Sequence, residues 1–198
     1  MILIFEGMND LLDEIKTKYR EDTFKMLKEI EFTYYNQSEM KTINDFIVAY
    51  SSSNFTSIRF DWNNKHSKDF IDANAEYRSK VSIYYILHCD DNTNPLLLKD
   101  LFCEQSKHDE EAWGASGFLF MLGEKLLSAT GSQYIYEFLE SAMRSFDTYG
   151  CCSSIRLDDK LVNELGLGIE ELIEISSGNR VAIKLLNDGL EYINNFLS

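Results

Sequence analysis

The sequence predicts a mainly α-helical protein, built as antiparallel helical hairpins in one domain, and three observations carry that reading. The 198 residues contain one proline and ten glycines, too few breakers for a many-stranded sandwich. Apolar residues recur every three or four positions along most of the chain. Turn signals, of which "DDNTNP" is the clearest, separate those runs. The apolar and aromatic fractions, 44% and 13%, are those of a chain that folds around a core. The expected parts are an amino-terminal helix with a mixed segment (1–66) and a helical body (67–198).

From Asn9 to Ile30 the residues Leu11, Leu12, Ile15, Tyr19, Met26, Leu27 and Ile30 keep helical spacing, with a break expected near Asp22–Thr23. Residues 31–62 read two ways. "EFTYYN" and "FTSIRFDW" look extended, whereas "SEMKTINDFIVAY" aligns Met40, Ile43, Ile47 and Tyr50 as a helix would. A small β element here, and with it an α+β class, is the alternative. Beyond Ser67, "DFIDANAEYRSKVSIYYILHC" has helical period, and its β-branched and aromatic residues keep a strand in view.

Asn94 precedes Pro95, which suits the first position of a helix carrying Leu97, Leu98, Leu101, Phe102 and Gln105. Asp109 is expected to cap the next helix, whose apolar run Phe118–Leu122 predicts burial nearly all round, with Gly114, Gly117 and Gly123 allowing a neighbour close. Ser132 would cap a helix with the stripe Ile135, Phe138, Leu139, Ala142, Met143 and Phe146, with Glu140 and Arg144 paired on its outer face. Asp158 caps a short helix ending at Gly166, "IEELIEIS" forms another, and Gly178–Asn179 leads into the last.

The charge balance excludes some functions. Acids number 33 and bases 19, a net charge of −14, split as −5 over the first hundred residues (12 bases, 17 acids) and −9 over the rest (7 and 16). Such a field repels nucleic acid and anionic membranes. It keeps a protein in solution, and it also attracts a basic partner. The opening "MILIFEGMND" lacks the basic start and long apolar run of a signal peptide, and no apolar window is long enough to span a bilayer. A cytoplasmic protein with four free thiols is therefore expected.

No motif with catalytic spacing is present. "HCDD" (His88–Asp91) with Cys103 and His108 could supply zinc ligands, but the paired C-x-x-C spacing of structural zinc is missing, so no metal or cofactor is expected. "HDEE" lacks the second histidine of H-E-x-x-H, "WGASG" lacks nucleophile-elbow spacing, and no phosphate loop occurs. No residue is assigned a catalytic role.

Two segments remain. "FDWNNKH" offers Trp62, Asn63, Asn64 and His66 as a recognition loop, with Asp109, Glu110 and Glu111 as acidic partners for a cation. The commoner use of such a tryptophan is to pack down as a hydrophobic anchor. "FDTYGCC" reads as a helix-ending junction of Phe146, Asp147, Tyr149, Gly150 and Cys151, with Gly150 in the left-handed region and no base or cation to activate a thiol. The expected function is a non-enzymatic interaction protein that binds a basic protein, in its most concrete form an immunity or antitoxin-type protein against a cationic toxin. An enzyme or small-ligand binder whose site has no sequence motif is the alternative.

Overall fold

The computed structural model describes residues 2–90 and 93–196, with side chains from Leu11 to Asn195. Nine α-helices lie among the described residues: α1 (Ile2–Tyr34), α2 (Gln37–Ala49), α3 (Ala75–His88), α4 (Pro95–Glu111), α5 (Leu119–Thr130), α6 (Ile135–Ala142), α7 (Phe146–Cys152), α8 (Asp159–Ile175) and α9 (Arg180–Phe196). Short 3₁₀ turns occur at Ser52–Ser57, Ser67–Asp69 and Gly131–Tyr134. The fold is mainly helical.

The core forms around α4. Pro95 opens this helix and Asn94 caps it, its Oδ1 accepting the Leu97 N–H at 3.1 Å. Leu97, Leu98, Leu101 and Phe102 are then fully buried. Phe102 stacks on Phe138 of α6 with centroids 5.3 Å apart and planes inclined by 10°. α5 lies across both, with Leu119, Phe120, Met121, Leu122, Leu126 and Leu127 buried, so it is apolar on most of its circumference. Gly123 is the point of closest approach. A β-carbon there would lie 3.0 Å from Ile155 and Phe102 and 3.1 Å from Phe138. Gly123→Ala therefore overpacks the centre and should cost about 1–3 kcal/mol in urea denaturation.

The other helices pack onto this centre. α8 and α9 form an antiparallel hairpin that turns at Gly178, φ +102°, with Asn179 Oδ1 accepting the Ala182 N–H. α1 is anchored by Arg20, whose guanidinium grips both oxygens of Glu124 on α5. The same Glu124 accepts the Arg156 N–H at 2.9 Å, tying α1, α5 and the segment before α8 at one carboxylate. Leu27 is buried, whereas Leu11, Leu12 and Ile15 are about half exposed.

Several sequence expectations are corrected. No strand occurs between 31 and 62 among the described residues. Residues 31–34 continue α1, 37–49 form α2, and the one isolated bridge pairs Trp62 with Asp72. Ile43 and Ile47 are buried at helical spacing, which selects the helical reading of 37–49, whereas in 31–34 Phe32 and Tyr34 extend α1 while staying exposed. α1 passes through Asp22–Thr23 without a break, since neither residue forbids helical dihedrals. The helix expected from Ser67 begins only at Ala75.

α8 likewise runs through Gly166, and its second glycine serves packing: a β-carbon on Gly168 would lie 2.3 Å from that of Ser132. "FDTYGCC" is itself a helix. Ser145 and Thr148 form a capping box at its start, and Gly150 sits inside it rather than in the left-handed region. Phe146, expected to finish the stripe of α6, is 88% exposed, because Ala142 ends α6 and the chain reorients at Met143.

Candidate functional site

Residues 58–74 contain little regular structure, yet they are tightly held, and α3 and α4 hold them. Asp100, Glu104, His108 and Glu111 follow one another at intervals of four, four and three, so they share one face of α4. Asp100 Oδ2 accepts the Tyr50 hydroxyl at 2.7 Å, and burial followed by this bond pushes the Tyr50 pKa well up. Glu104 Oε2 accepts the Phe60 N–H at 2.8 Å, and Lys107 lies 2.6 Å from its other oxygen.

Asp72 is the hub. Its Oδ2 meets the Arg78 guanidinium at 2.5 Å and His108 Nδ1 at 3.0 Å, while Oδ1 accepts the Asp61 and Asn74 N–H groups at 3.1 Å each. Burial pushes this carboxyl up, but the hydrogen bonds from His108 and Arg78 outweigh it and hold Asp72 well below the usual carboxylate range. Arg78 is fully buried and also donates to Gln105 Oε1 and the Ile58 carbonyl. Gln105 Nε2 passes the network on to Asp109 at 2.9 Å and Ser116 Oγ at 2.8 Å. Buried polar groups of this kind stay in place only when nearly all are satisfied, and here they brace one loop against one helix.

That bracing presents an aromatic surface. The rings of Phe60 and Phe70 stand edge-on to His108, with centroids 6.3 and 5.2 Å away. Trp62 packs beside Phe70 at 6.4 Å and against His66 at 5.0 Å, and its indole N–H donates to the Lys65 carbonyl at 2.9 Å. His66 faces Trp113 at 6.1 Å, and its Nδ1 lies 3.8 Å from Glu111. Trp113, immediately beyond the end of α4, is 76% exposed. Both tryptophans of the chain are therefore on this surface.

The backbone is strained at the same place. Non-glycine residues with positive φ among the described residues are Asn64 (+57°), Ser67 (+58°) and Trp113 (+57°). All three belong to this loop or to the end of α4 facing it. The left-handed region costs an L-residue about 1–2 kcal/mol, and such outliers cluster at binding and catalytic sites.

Of the expected recognition residues, Trp62, His66 and Glu111 meet in space, and the others have differing roles. His66 and Asn64 are exposed, and Trp62 is half-buried. Glu110 and Glu111 are partly exposed, Glu110 lying 3.5 Å from Arg144. Asn63 organises the loop from within, its amide donating to the Asp69 carbonyl at 2.7 Å and its oxygen accepting the Ile71 and Lys65 N–H groups.

Asp109 is a correction. At 2% exposure it cannot meet a partner, and it caps nothing ahead of it, because α4 continues to Glu111. Its carboxylate accepts the Ser116 N–H at 2.9 Å and the Ser116 hydroxyl at 2.7 Å, and burial raises its pKa despite these bonds. Asp72 and Arg78 were missed. An arginine on the same helical stripe as Val81 and Tyr85 was the available signal, as was the four-residue spacing of Asp100, Glu104 and His108.

The other candidates are dispersed. His88 bonds Glu31 at 2.5 Å, away from His108, and no metal-ligating group of three occurs among the described residues; Asp91 lies outside them. Burial pushes the Cys151 thiol up to about 11 and Cys152 well above its ordinary value, opposite to what a reactive thiolate requires. No helix among the described residues is long and apolar enough to cross a membrane.

An aspartate holding a histidine is one way to orient a general base. Here the same oxygen also meets Arg78, which matches its charge, and the Ser116 hydroxyl donates to Asp109 rather than to His108. The arrangement fixes a surface more than it activates a nucleophile. No family model, curated protein or solved structure matches this chain.

Proposed function

We propose that the chain is a non-enzymatic interaction protein that binds a basic protein through the aromatic surface of Trp62, His66 and Trp113 and the adjoining carboxylates of Glu110 and Glu111. The observation that carries this reading is the coincidence of backbone strain and ring exposure: Asn64, Ser67 and Trp113 are all left-handed, and Trp113 is left 76% exposed. Folding alone gains little from such a residue, whereas an interface gains a hot spot.

The charge distribution supports a cationic partner. Asp158, Asp159, Glu164, Glu170, Glu171 and Glu174 along α8 are exposed, and none forms an ion pair among the described residues. This field attracts a basic protein over several ångströms, and the tryptophan surface supplies the short-range contact. An immunity or antitoxin-type protein acting inside the cell on a cationic toxin is the most concrete form of this proposal.

The test is Trp113→Gly. Removing the left-handed strain offsets the freedom that glycine adds to the unfolded chain, so stability stays within about 1 kcal/mol of the parent. Binding to the basic partner isolated from the native host should weaken by about 30-fold or more, and association should slow as salt rises. Unchanged affinity in Trp113→Gly, or an association rate indifferent to salt, contradicts the proposal.

A further inference from the structure

We infer that the crevice behind Trp113 receives an arginine side chain of that partner, an inference that rests on the binding function just proposed. The crevice is lined by Ser67, Phe70, Glu111, Ala112 and Trp113. Three features there favour a planar cation. The ring faces of Trp113 and Phe70 carry the negative side of their quadrupoles. α4 ends at Glu111, which lines the crevice with Ala112, so the partial negative charge of the carbonyl end of the helix lies beside it. The Glu111 carboxylate is partly exposed, and its nearest cationic partner, His66 Nδ1, is 3.8 Å away, beyond hydrogen-bond reach. Among the described residues the Glu111 carboxylate accepts no hydrogen bond, whereas Glu110 lies 3.5 Å from Arg144.

The surroundings discriminate between cations. Lys65 and Lys68 are exposed on the same loop and oppose a general attraction of positive charge. A ligand must therefore gain its affinity from short-range geometry. Guanidinium stacks on an aromatic face while offering two parallel N–H groups to a carboxylate, and an ammonium does only the second, as a point charge.

Both tryptophans of the chain belong to this surface, so intrinsic fluorescence reports the site directly. The parent protein is titrated with N-acetyl-arginine amide, with N-acetyl-citrulline amide as the neutral isostere and N-acetyl-lysine amide as the point-charge control. Arginine amide should give a saturable change, lysine amide a weaker one and citrulline amide none. Glu111→Gln should weaken the arginine response about tenfold. Its unchanged far-ultraviolet circular dichroism would show that the fold is retained.

No saturable change with arginine amide, an equal response to citrulline amide, or an unaltered titration in Glu111→Gln overturns the assignment. The two proposals fail separately. If Glu111→Gln leaves partner binding intact while Trp113→Gly abolishes it, the arginine assignment is wrong and the binding function stands. If Trp113→Gly leaves partner binding intact, the binding function itself falls.

Discussion

Replacing Arg78 with methionine lowers stability by about 3–5 kcal/mol, because it leaves Asp72 as a buried charge without its principal counter-ion. The side chains of Arg78 and Asp72 are both fully inaccessible to solvent. Pairing Arg78→Met with Asp72→Asn should recover part of the loss, since it removes the uncompensated charge and the amide oxygen can still accept the Asp61 and Asn74 N–H groups, while the contact of the second carboxylate oxygen with His108 is lost. Urea denaturation measures the effect, and a change under 1 kcal/mol would show that the network is not a source of stability.

The linkage has a definite sign. The Asp72 pKa is lower in the folded protein than in the unfolded chain, where a carboxyl titrates near ~4. Its contribution is fully present above that value and is lost as pH falls through the lower folded value. Asp72→Asn should therefore be less stable than the parent at neutral pH, with the gap narrowing as pH falls below about 4.

Phe138→Ala is expected to be comparably costly, about 3–5 kcal/mol, for a purely apolar reason. The ring is fully buried, stacks on Phe102 and lies 6.5 Å from Tyr192 across the interface with α9. Its Cε2 would lie only 3.1 Å from a β-carbon on Gly123, so that side of the ring is packed against backbone and cannot close over the cavity. Rigid neighbours leave most of the void open, which puts the expected loss toward the upper part of the range. Thermal and urea melts of the variant measure it. The two experiments differ in acid, where only the Asp72 contribution changes with pH.

The helical class was legible because period and propensity agreed over long stretches such as Leu97–Phe102 and Phe118–Leu127. Boundaries were legible where a cap residue had one sterically sensible use, as with Asn94–Pro95 and with Asp158, whose Oδ1 accepts the Leu161 N–H at 2.8 Å. They were misread where a residue had two uses. A glycine such as Gly166 ends helices in many sequences, yet here α8 runs through it, and, two residues on, Gly168 lets α8 approach Ser132. "FTSIRFDW" alternates like a strand, but without a partner strand its backbone groups turn to side chains: Glu104 takes the Phe60 N–H and Asn74 donates to the Arg59 carbonyl.

The candidate surface was half legible. Aromatic and amide composition drew attention to Trp62–His66, and acidic composition to 109–111, but neither could show that the two stretches meet. The interior partnership of Asp72 with Arg78 and His108 joins residues up to 36 positions apart, and local pattern carries no information on such pairings. Asp109 illustrates the same limit: an acid beside two exposed acids is indistinguishable from them until its depth is known.

The polar edge of α4 has a consequence for how this protein can change over evolutionary time. Along that helix Leu97, Leu98, Leu101 and Phe102 serve the core, Glu104 and His108 hold the loop directly, and Asp100, Gln105 and Asp109 bond Tyr50, Arg78 and Ser116. Few positions are left to drift without disturbing one or the other. The outer side of α8 carries no such double duty, because among the described residues its carboxylates bond no neighbour beyond the cap made by Asp158. Substitutions on the outer side of α8 should therefore be tolerated more readily than substitutions on α4, whose buried residues hold the core and the loop at once.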